Sequence, residues 1–301
     1  MTQPDLTTLF GDALQHDIVL APYTSARIGG PADHLLICRS AEDLRHALQT
    51  CWQHAIPFKL LGGGSNVLVS DLGIRGLVIL NKAKSFEIIP GDAPRAIAES
   101  GAMLSSFAHK LGAAGLSGLE WAATVPGTVG GAVYGNAGAY GGDINDSLTS
   151  ATLLTRQGIL TYTSAQMGYA YRSSILKRGE LEAVILKAEF ALKNADPAVI
   201  KDKIDILTAK RRASQPPGAS MGSMFKNPEG NYAGALVEAC GLKGTRIGNA
   251  EISPVHGNFI VNHGNTSAQD VKALIDLMRE RVSTQFGIEL HLEVELIGEW
   301  K

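Results

Sequence analysis

The sequence predicts an α+β protein, because helical and strand-like periodicities both occur along the chain and no internal repeat orders them. Residues 40–55 begin with a serine N-cap and carry apolar residues at helical spacing. Residues 58–61 and 76–80 are short apolar runs next to proline or glycine, which is typical of strands. Glycine, 34 of 301 residues, is concentrated where the backbone must turn tightly or approach another group closely.

The last third of the chain contains the clearest helix. Ser267 and Asp270 form a capping pair, and Gly287 ends an apolar stripe formed by Val271, Leu274, Ile275, Met278 and Val282. Residues 288–296 then alternate apolar and polar, which predicts a strand with Glu293 on its solvated face.

Three lobes are predicted from these signals. The first is 1–80, with the C-terminal strand near 292–301 returning to it, the second is 81–195 and the third is 205–291. Residues 196–210 predict a charged amphipathic helix between the second and third lobes. From 97 to 185 helical signals give way to glycine, alanine and short strands, such as 150–154 and 183–190.

Composition excludes several classes of function. The net charge of −2 argues against binding nucleic acid or a membrane surface, and no apolar run is long enough to span a bilayer. Cys38, Cys51 and Cys240 lack the spacing of a disulfide framework or zinc site, and the histidines show no metal spacing. We therefore expect a cytoplasmic chain with no metal, no membrane insertion and no obligate protein partner.

The segment Gly62-Gly63-Gly64-Ser65-Asn66 interrupts two apolar runs. Successive backbone N–H groups in such a turn form a concave anion site suited to a pyrophosphate, with the side chains of Ser65 and Asn66 as further donors. It is not a G-x-G-x-x-G motif, because Val67 stands at the place of the last glycine. A hairpin or bulge explains the same glycines equally well.

The segment 222–228 places a hydroxyl, an ammonium and an amide close together, as Ser223, Lys226 and Asn227, before a proline. A strand that runs into a turn is the alternative interpretation. Arg172, between Tyr171 and two serines, fits a surface stack or ion pair as well as a binding role, and Glu293 fits a solvated strand face.

Taken together and in order, these segments resemble the UDP-N-acetylenolpyruvoylglucosamine reductase family. The segments that carry the resemblance are 25–30, 61–66, 123–132, 136–141, 222–228, 259–262 and 292–294. The resemblance implies an FAD-binding region of two lobes, similar to the vanillyl-alcohol-oxidase (PCMH-type) fold, followed by a C-terminal substrate-binding α+β lobe. The short spacing between Arg172 and Ser223 resembles the branch of the family that lacks an inserted tyrosine loop.

The resemblance also implies roles for individual residues. Ser223 matches the proton donor, and Arg172 and Glu293 match two residues that polarise the substrate. Substrate contacts are implied for Tyr171 and Asn227, and Lys226 and Arg211 or Arg212 are looser candidates for contacts with the diphosphate. Noncovalent FAD contacts are implied for Gly62, Gly63, Gly64, Ser65, Asn66, Thr124, Val125, Pro126, Gly127, Thr128, Gly130, Gly131, Gly138, Tyr140 and Gly141.

The activity implied is the NADPH-dependent reduction of a nucleotide-sugar enol ether, UDP-N-acetylglucosamine enolpyruvate, to UDP-N-acetylmuramate. Two alternatives stay open. A sugar or alcohol oxidase on the same FAD fold often binds flavin covalently through a histidine or cysteine, which none of these loops carries. A nucleotide-binding regulatory module would explain the glycine loops but gives Ser223, Arg172 and Glu293 no function.

Overall fold

The computed structural model of the protein describes residues 5–300. These residues form two compact units, each of them discontinuous in sequence. Among the described residues, unit 1 consists of 5–14, Leu36–Gly63 and Ile79–Lys210, and unit 2 of Gln15–Leu35, Gly64–Val78 and 211–300. The predicted boundaries of three lobes stay a prediction.

The α-helices within the described residues are α1 (Leu6–Phe10), α2 (Ala41–Gln53), α3 (Leu104–Ala113), α4 (Val129–Gly135), α5 (Ile144–Ser147), α6 (Pro197–Ser214), α7 (Ala233–Ala239) and α8 (Ala268–Phe286). Short 3₁₀ turns lie at Gly11–Ala13, Ala21–Tyr23, Glu120–Thr124 and Ala165–Met167. The predicted helices at 40–55, 196–210 and after Ser267 are thus α2, α6 and α8.

The strands are β1 (Leu14–Val19), β2 (Pro31–Cys38), β3 (Phe58–Leu61), β4 (Val67–Val69), β5 (Ile74–Asn81), β6 (Phe86–Ile89), β7 (Arg95–Glu99), β8 (Leu116–Ser117), β9 (Gly138–Ala139), β10 (Gly142–Asp143), β11 (Leu148–Thr155), β12 (Gly158–Thr163), β13 (Val184–Ala191), β14 (Lys193–Asn194), β15 (Arg246–Ile247), β16 (Ala250–Ile252), β17 (Ile260–Asn262) and β18 (Glu295–Ile297). β1, β2, β5 and β3 are neighbours in that order in one sheet. With helices and strands interspersed, the predicted α+β class is confirmed.

Unit 1 is built on an antiparallel five-stranded sheet in the order β12-β11-β13-β7-β6. Helices α2 and α4 pack against β13. The helix α2 begins where predicted, because Ser40 accepts from the Asp43 N–H and the Asp43 carboxylate accepts from the Ser40 N–H. The core beneath the sheet is formed by buried side chains that include Leu104, Phe107, Val133, Leu153 and Phe190.

Unit 2 contains the antiparallel sheet β15-β16-β17, on which α8 packs, and the parallel pair β18-β4. Two side chains, those of Ser267 and Asp71, accept hydrogen bonds from the first turn of α8. Ser267 Oγ accepts from Asp270 N at 3.0 Å, and the Asp71 carboxylate accepts from the N–H groups of Ala268 and Gln269. These bonds satisfy donors that a helix terminus otherwise leaves without partners. Gly287 ends α8 in the left-handed conformation, with φ 67°.

Two predictions about local structure are wrong. The stretch 97–185 contains α3, α4 and α5, although helical signals were expected to give way there; its predicted strands at 150–154 and 183–190 are confirmed as β11 and β13. The strand predicted over 288–296 is limited to β18, although Leu290 and Val294 are buried as the alternation predicts. The N–H groups of Glu293 and Val294 both donate to the Met224 carbonyl, whereas a regular strand directs successive N–H groups to opposite sides.

We expect Ser267→Ala to destabilise unit 2 by about 1 kcal/mol, because the backbone N–H of Asp270, in the first turn of α8, loses its side-chain acceptor. Ser283→Ala is the matched control, since Ser283 is exposed in the interior of the same helix. The measurement is urea unfolding followed by circular dichroism. Equal effects of the two substitutions would contradict a capping role for Ser267.

Candidate functional site

The glycine loop after β3 approaches a second glycine segment of unit 1. A Cβ atom on Gly62 would lie 2.7 Å from Thr128 Oγ1, and one on Gly63 would lie 3.0 Å from the Cα of Gly127. Both distances are shorter than ordinary van der Waals contact, so a larger residue at either position would force Thr128 or Gly127 to shift. The structure therefore brings together two segments that the sequence analysis assigned to the same cofactor.

The second segment, 124–131, is fixed by its backbone. Thr128 caps α4 by accepting from the Gly131 N–H at 3.3 Å, and the Gly130 N–H donates to the Ser100 carbonyl at 2.7 Å. A Cβ on Gly130 would lie 2.8 Å from Ser100 Cβ. Thr124 and Val125 are half-buried and Pro126 is exposed. The segment is therefore rigid, with its small residues next to the loop that follows β3.

Gly138, Tyr140 and Gly141 belong to the tight hairpin β9-β10. Its two turn residues have positive φ, 54° for Tyr140 and 85° for Gly141. Glycine adopts this conformation freely, but a tyrosine does so rarely and at a cost in free energy. The Tyr140 side chain is 43% exposed, so core packing does not explain the strain.

Arg172 lies in the turn of another small hairpin, Ala170–Ser173, with φ 52°. Its guanidinium Nη2 donates to the Gly138 carbonyl at 2.8 Å, and Nη1 approaches the Asn136 carbonyl at 3.5 Å. The Cζ atom lies 5.5 Å from the centre of the exposed ring of Tyr171. Within unit 1, Arg172 is thus held against the segment that contains Gly138.

Asn136, which the sequence analysis did not single out, holds these elements in place. It ends α4 in the left-handed conformation, and its buried amide donates to Asp143 Oδ2 and to the Ala170 carbonyl, each at 3.2 Å. The side-chain oxygen of Asn136, Oδ1, accepts from Asn145 N. An asparagine directly after a helix is a known C-terminal signal, so the sequence did carry a trace of this role.

In unit 2, Gly64 and Asn66 continue the glycine loop. Gly64 has φ 60°, and a Cβ there would collide with the Tyr23 carbonyl. The Asn66 side-chain amide donates to the Glu293 carbonyl at 2.9 Å, and the Asn66 carbonyl accepts from Glu295 N at 3.0 Å. Asn66 therefore positions the segment of Glu293, while Ser65 beside it is half-buried.

The segment Ser223–Lys226 lies between two other stretches of unit 2. On one side Ser223 pairs with Phe259, and on the other Phe225 pairs with Leu292. The Met224 carbonyl accepts from Glu293 N, and Lys226 N donates to the His291 carbonyl, both at 2.9 Å. The segment that carries Ser223 and Lys226 thus adjoins the stretch of Glu293, which in turn is bonded to Asn66, although these three parts of the chain are far apart in sequence.

The remaining predicted binding residues of unit 2 are placed differently. The Asn227 side-chain oxygen accepts from Ala233 N at 3.1 Å at the start of α7, so this oxygen has a local structural partner. Arg212 lies on the exposed side of α6, and Lys226 is half-buried.

Burial changes the ionisation of two groups beside these segments. It lowers the pKa of His256, whose Nδ1 accepts from Asn258 N at 3.2 Å, so the proton of the neutral ring is on Nε2. Burial also raises the pKa of Tyr169, whose hydroxyl donates to the Val133 carbonyl at 3.0 Å. Both rings are therefore neutral around pH 7 and act through hydrogen bonds.

Between residues 5 and 300, no group of three or more histidine, cysteine, aspartate or glutamate side chains is arranged to hold a metal ion. Over the same residues, no helix combines the length and apolar character needed to cross a membrane.

Comparison with known proteins gives the class of the protein first. Residues 32–164 match the model of an FAD binding domain. This range contains the glycine segments 62–63, 124–131 and 138–141 of unit 1, so the chain is a flavoprotein with an FAD-binding domain. The match supports FAD as the cofactor. An added Cβ on Gly62 or Gly63 would meet Thr128 or Gly127, so the loop carries no side chains there, which suits binding of a diphosphate through the backbone.

The family follows from three further similarities. Residues 214–297 match the C-terminal domain of UDP-N-acetylenolpyruvoylglucosamine reductase. The enzymes of that name from Chloroflexus aggregans and Clostridium novyi are each 41% identical, over 92% and 96% of this chain and 95% and 93% of their own. The crystal structure of the Thermus caldophilus enzyme has a TM-score of 0.79 and 34% identity, covering 93% of this chain and 97% of that one.

The chain therefore belongs to the UDP-N-acetylenolpyruvoylglucosamine reductase family, and the resemblance seen in the sequence is confirmed. The order of an FAD-binding region followed by a C-terminal domain is confirmed as well.

We expect Gly63→Ala to lower the FAD content of the purified protein severalfold, because the new methyl group meets the rigid backbone of Gly127. Gly135→Ala is the control, since a Cβ there has no neighbour within 4 Å. Flavin is released by heat and measured in the supernatant.

All of the flavin should leave the heat-precipitated parent chain, because binding is predicted to be noncovalent. Yellow colour retained on the precipitate would contradict this.

Proposed function

We propose that this protein reduces UDP-N-acetylglucosamine enolpyruvate to UDP-N-acetylmuramate, with FAD as cofactor and NADPH as hydride donor, in the synthesis of peptidoglycan precursors. The names of the relatives and the resemblance of the sequence support this substrate. The observation that carries the proposal is that Ser223 is followed directly by Met224, whose carbonyl accepts a hydrogen bond from Glu293 N.

The glycine segments are proposed to hold the FAD. Backbone N–H groups of 62–66 would bind its diphosphate, and the segments 124–131 and 138–141 would line the remainder. When bound, FAD supplies the redox chemistry, accepting a hydride from NADPH and returning it to the enolpyruvyl double bond of the substrate. The protein has to orient both substrates and to supply charge stabilisation and a proton.

Ser223 is the proposed proton donor. Addition of a hydride to the enolpyruvyl group leaves negative charge on the carbon next to the carboxylate, and one proton completes the lactyl product. A serine hydroxyl is a weak acid, so transfer depends on a strongly basic acceptor held within hydrogen-bond distance. The proton lost by Ser223 is then regained from solvent, so that NADPH, one proton and the enol ether are consumed together.

Arg172 and Glu293 are the proposed polarising residues. The guanidinium of Arg172 has donors in a fixed plane, which suits a carboxylate as its negative charge grows. Its hydrogen bond to Gly138 fixes the orientation of that plane. Glu293, if protonated or bridged by water, would add a further hydrogen bond, and its backbone is held from two sides by Asn66 and Met224.

The nucleotide-sugar is proposed to bind through Tyr171, Lys226, Asn227 and Arg212. The exposed ring of Tyr171 offers a stacking surface, and Lys226 offers a cation for the diphosphate. Since the Asn227 oxygen bonds Ala233 N, the amide nitrogen of Asn227 is the group proposed to donate to the substrate. A cytoplasmic location and a chain that acts without an obligate protein partner remain predictions from the sequence.

Arg172→Lys should lower turnover at least tenfold while the FAD content stays normal. The charge is kept, but a lysine cannot present two donors in one plane. Arg178→Lys is the control, because Arg178 lies on the same stretch and pairs with exposed Glu180. Steady-state rates and flavin absorbance measure both effects; turnover of Arg172→Lys within about twofold of the parent would leave Arg172 only its surface role.

Ser223→Ala should separate the two half-reactions. The change removes one hydroxyl, so FAD binding and flavin reduction by NADPH should be normal. Reoxidation of the flavin by the enolpyruvyl substrate should slow by about a hundredfold or more, the usual value of a positioned proton donor. Ser223→Cys should recover part of the rate, since a thiol also donates. Anaerobic stopped-flow absorbance measures both steps, and slow reduction with normal reoxidation would exclude Ser223 as the acid.

A further inference from the structure

We propose that Asn258 is a positioning residue for the reaction, acting through Ser223. It holds the segment Ser223–Lys226 in the one place from which the Ser223 hydroxyl can deliver its proton. This inference rests on the proposed function of Ser223. Asn258 was not singled out in the sequence, where it is one polar residue before an apolar run.

Asn258 makes three hydrogen bonds to two consecutive residues of that segment. Its side-chain Oδ1 accepts from Phe225 N at 3.0 Å, and its Nδ2 donates to the Phe225 carbonyl at 2.8 Å. Its own carbonyl accepts from Met224 N at 2.9 Å. A side-chain amide that satisfies both polar groups of one residue replaces a backbone rung of a β-ladder.

These bonds are buried. Asn258 is 3% exposed and Phe225 is 1% exposed, so water cannot replace the amide without entering the core. Buried backbone groups in folded proteins almost always have partners. If the amide is removed, the N–H and carbonyl of Phe225 have to find new partners, and the segment has to shift to do so. Ser223 lies two residues before Phe225 and moves with it.

The other edge of the segment is bonded to the stretch that carries Glu293. Phe225 pairs there with Leu292, and the Met224 carbonyl accepts from Glu293 N. Asn258 therefore bonds one edge of the segment Ser223–Lys226, while the opposite edge is hydrogen-bonded to the backbone of Glu293. Because the Glu293 carbonyl also accepts from the Asn66 amide, a shift of the segment moves the proposed acid, Ser223, while Glu293 keeps this second support.

Asn262 provides the matched control. It lies on the same stretch of chain, and its side chain also bonds backbone groups: it donates to the carbonyls of Ala26 at 2.8 Å and Arg27 at 3.5 Å, and it accepts from Gly264 N at 2.7 Å. None of these partners belongs to the segment 223–226. Substitution of Asn262 therefore removes side-chain-to-backbone bonds of the same kind without altering the support of Ser223.

The experiment measures both half-reactions by anaerobic stopped flow for Asn258→Ala, Asn262→Ala and each of them combined with Ser223→Ala. Reduction of the flavin by NADPH should be unchanged in all variants. Asn258→Ala should slow reoxidation by the enolpyruvyl substrate by about tenfold to a hundredfold, the effect expected of a small misplacement of a reacting group. Asn262→Ala should lower the unfolding temperature but leave reoxidation unchanged.

The decisive comparison is the double variant. In the Ser223→Ala background the hydroxyl is gone, so adding Asn258→Ala should slow reoxidation by less than about threefold, a large departure from independent effects. Should Asn258→Ala prove unstable, Asn258→Ser adds no buried charge, keeps one polar group and cannot bond both the N–H and the carbonyl of Phe225, and it carries the same prediction. Independent, multiplicative effects, or an equal slowing by Asn262→Ala, would show that Asn258 is merely structural. Normal reoxidation in Ser223→Ala itself would overturn the assignment of Ser223 and this inference with it.

Discussion

Backbone packs directly on backbone at several places in this chain where a Cβ atom has no room. In unit 1 such approaches include that of Gly130 to Ser100 and, less tightly, that of Gly63 to Gly127. In unit 2, Gly30 and Gly73 approach the neighbouring backbone in the same way. Such contacts bring peptide N–H groups near a surface without side chains between them, which is the condition for binding a diphosphate through the backbone. The position of the glycine segments proposed to bind FAD depends on this constraint.

The segments of unit 2 proposed for catalysis are held by hydrogen bonds outside regular sheets. Ser223–Lys226 makes only isolated pairings, and its remaining bonds go to side chains such as Asn258 or to single backbone groups. In a long β-ladder, continuous backbone pairing makes successive side chains point to alternate faces of the sheet. Isolated pairings do not impose this alternation on the neighbouring residues. The cost is that every buried polar group needs its own partner, so a few asparagines carry much of the geometry.

Helix boundaries were the most predictable part of the fold, because their signals are local. The capping boxes of α2 and α8 and the stop at Gly287 lie within a few residues of the ends they set. The helix α3 was missed although Leu104, Phe107, Ala108 and Leu111 follow helical spacing, since its N-cap, Met103, makes no side-chain capping bond. The strand predicted over 288–296 failed because alternation reports burial, while hydrogen bonding also depends on distant partners.

The sequence by itself determined the α+β class, the helices with local caps, and the set of short segments whose order identifies the family. Only the tertiary structure decided that Gly62 meets Thr128, that Arg172 bonds Gly138, and that the Asn227 oxygen is used to begin α7. The physical reason is range. Propensity, capping and alternation act between residues that are neighbours in sequence. Close approach and the pairing of buried polar groups act between residues that are neighbours in space, and these become neighbours only when the chain is folded.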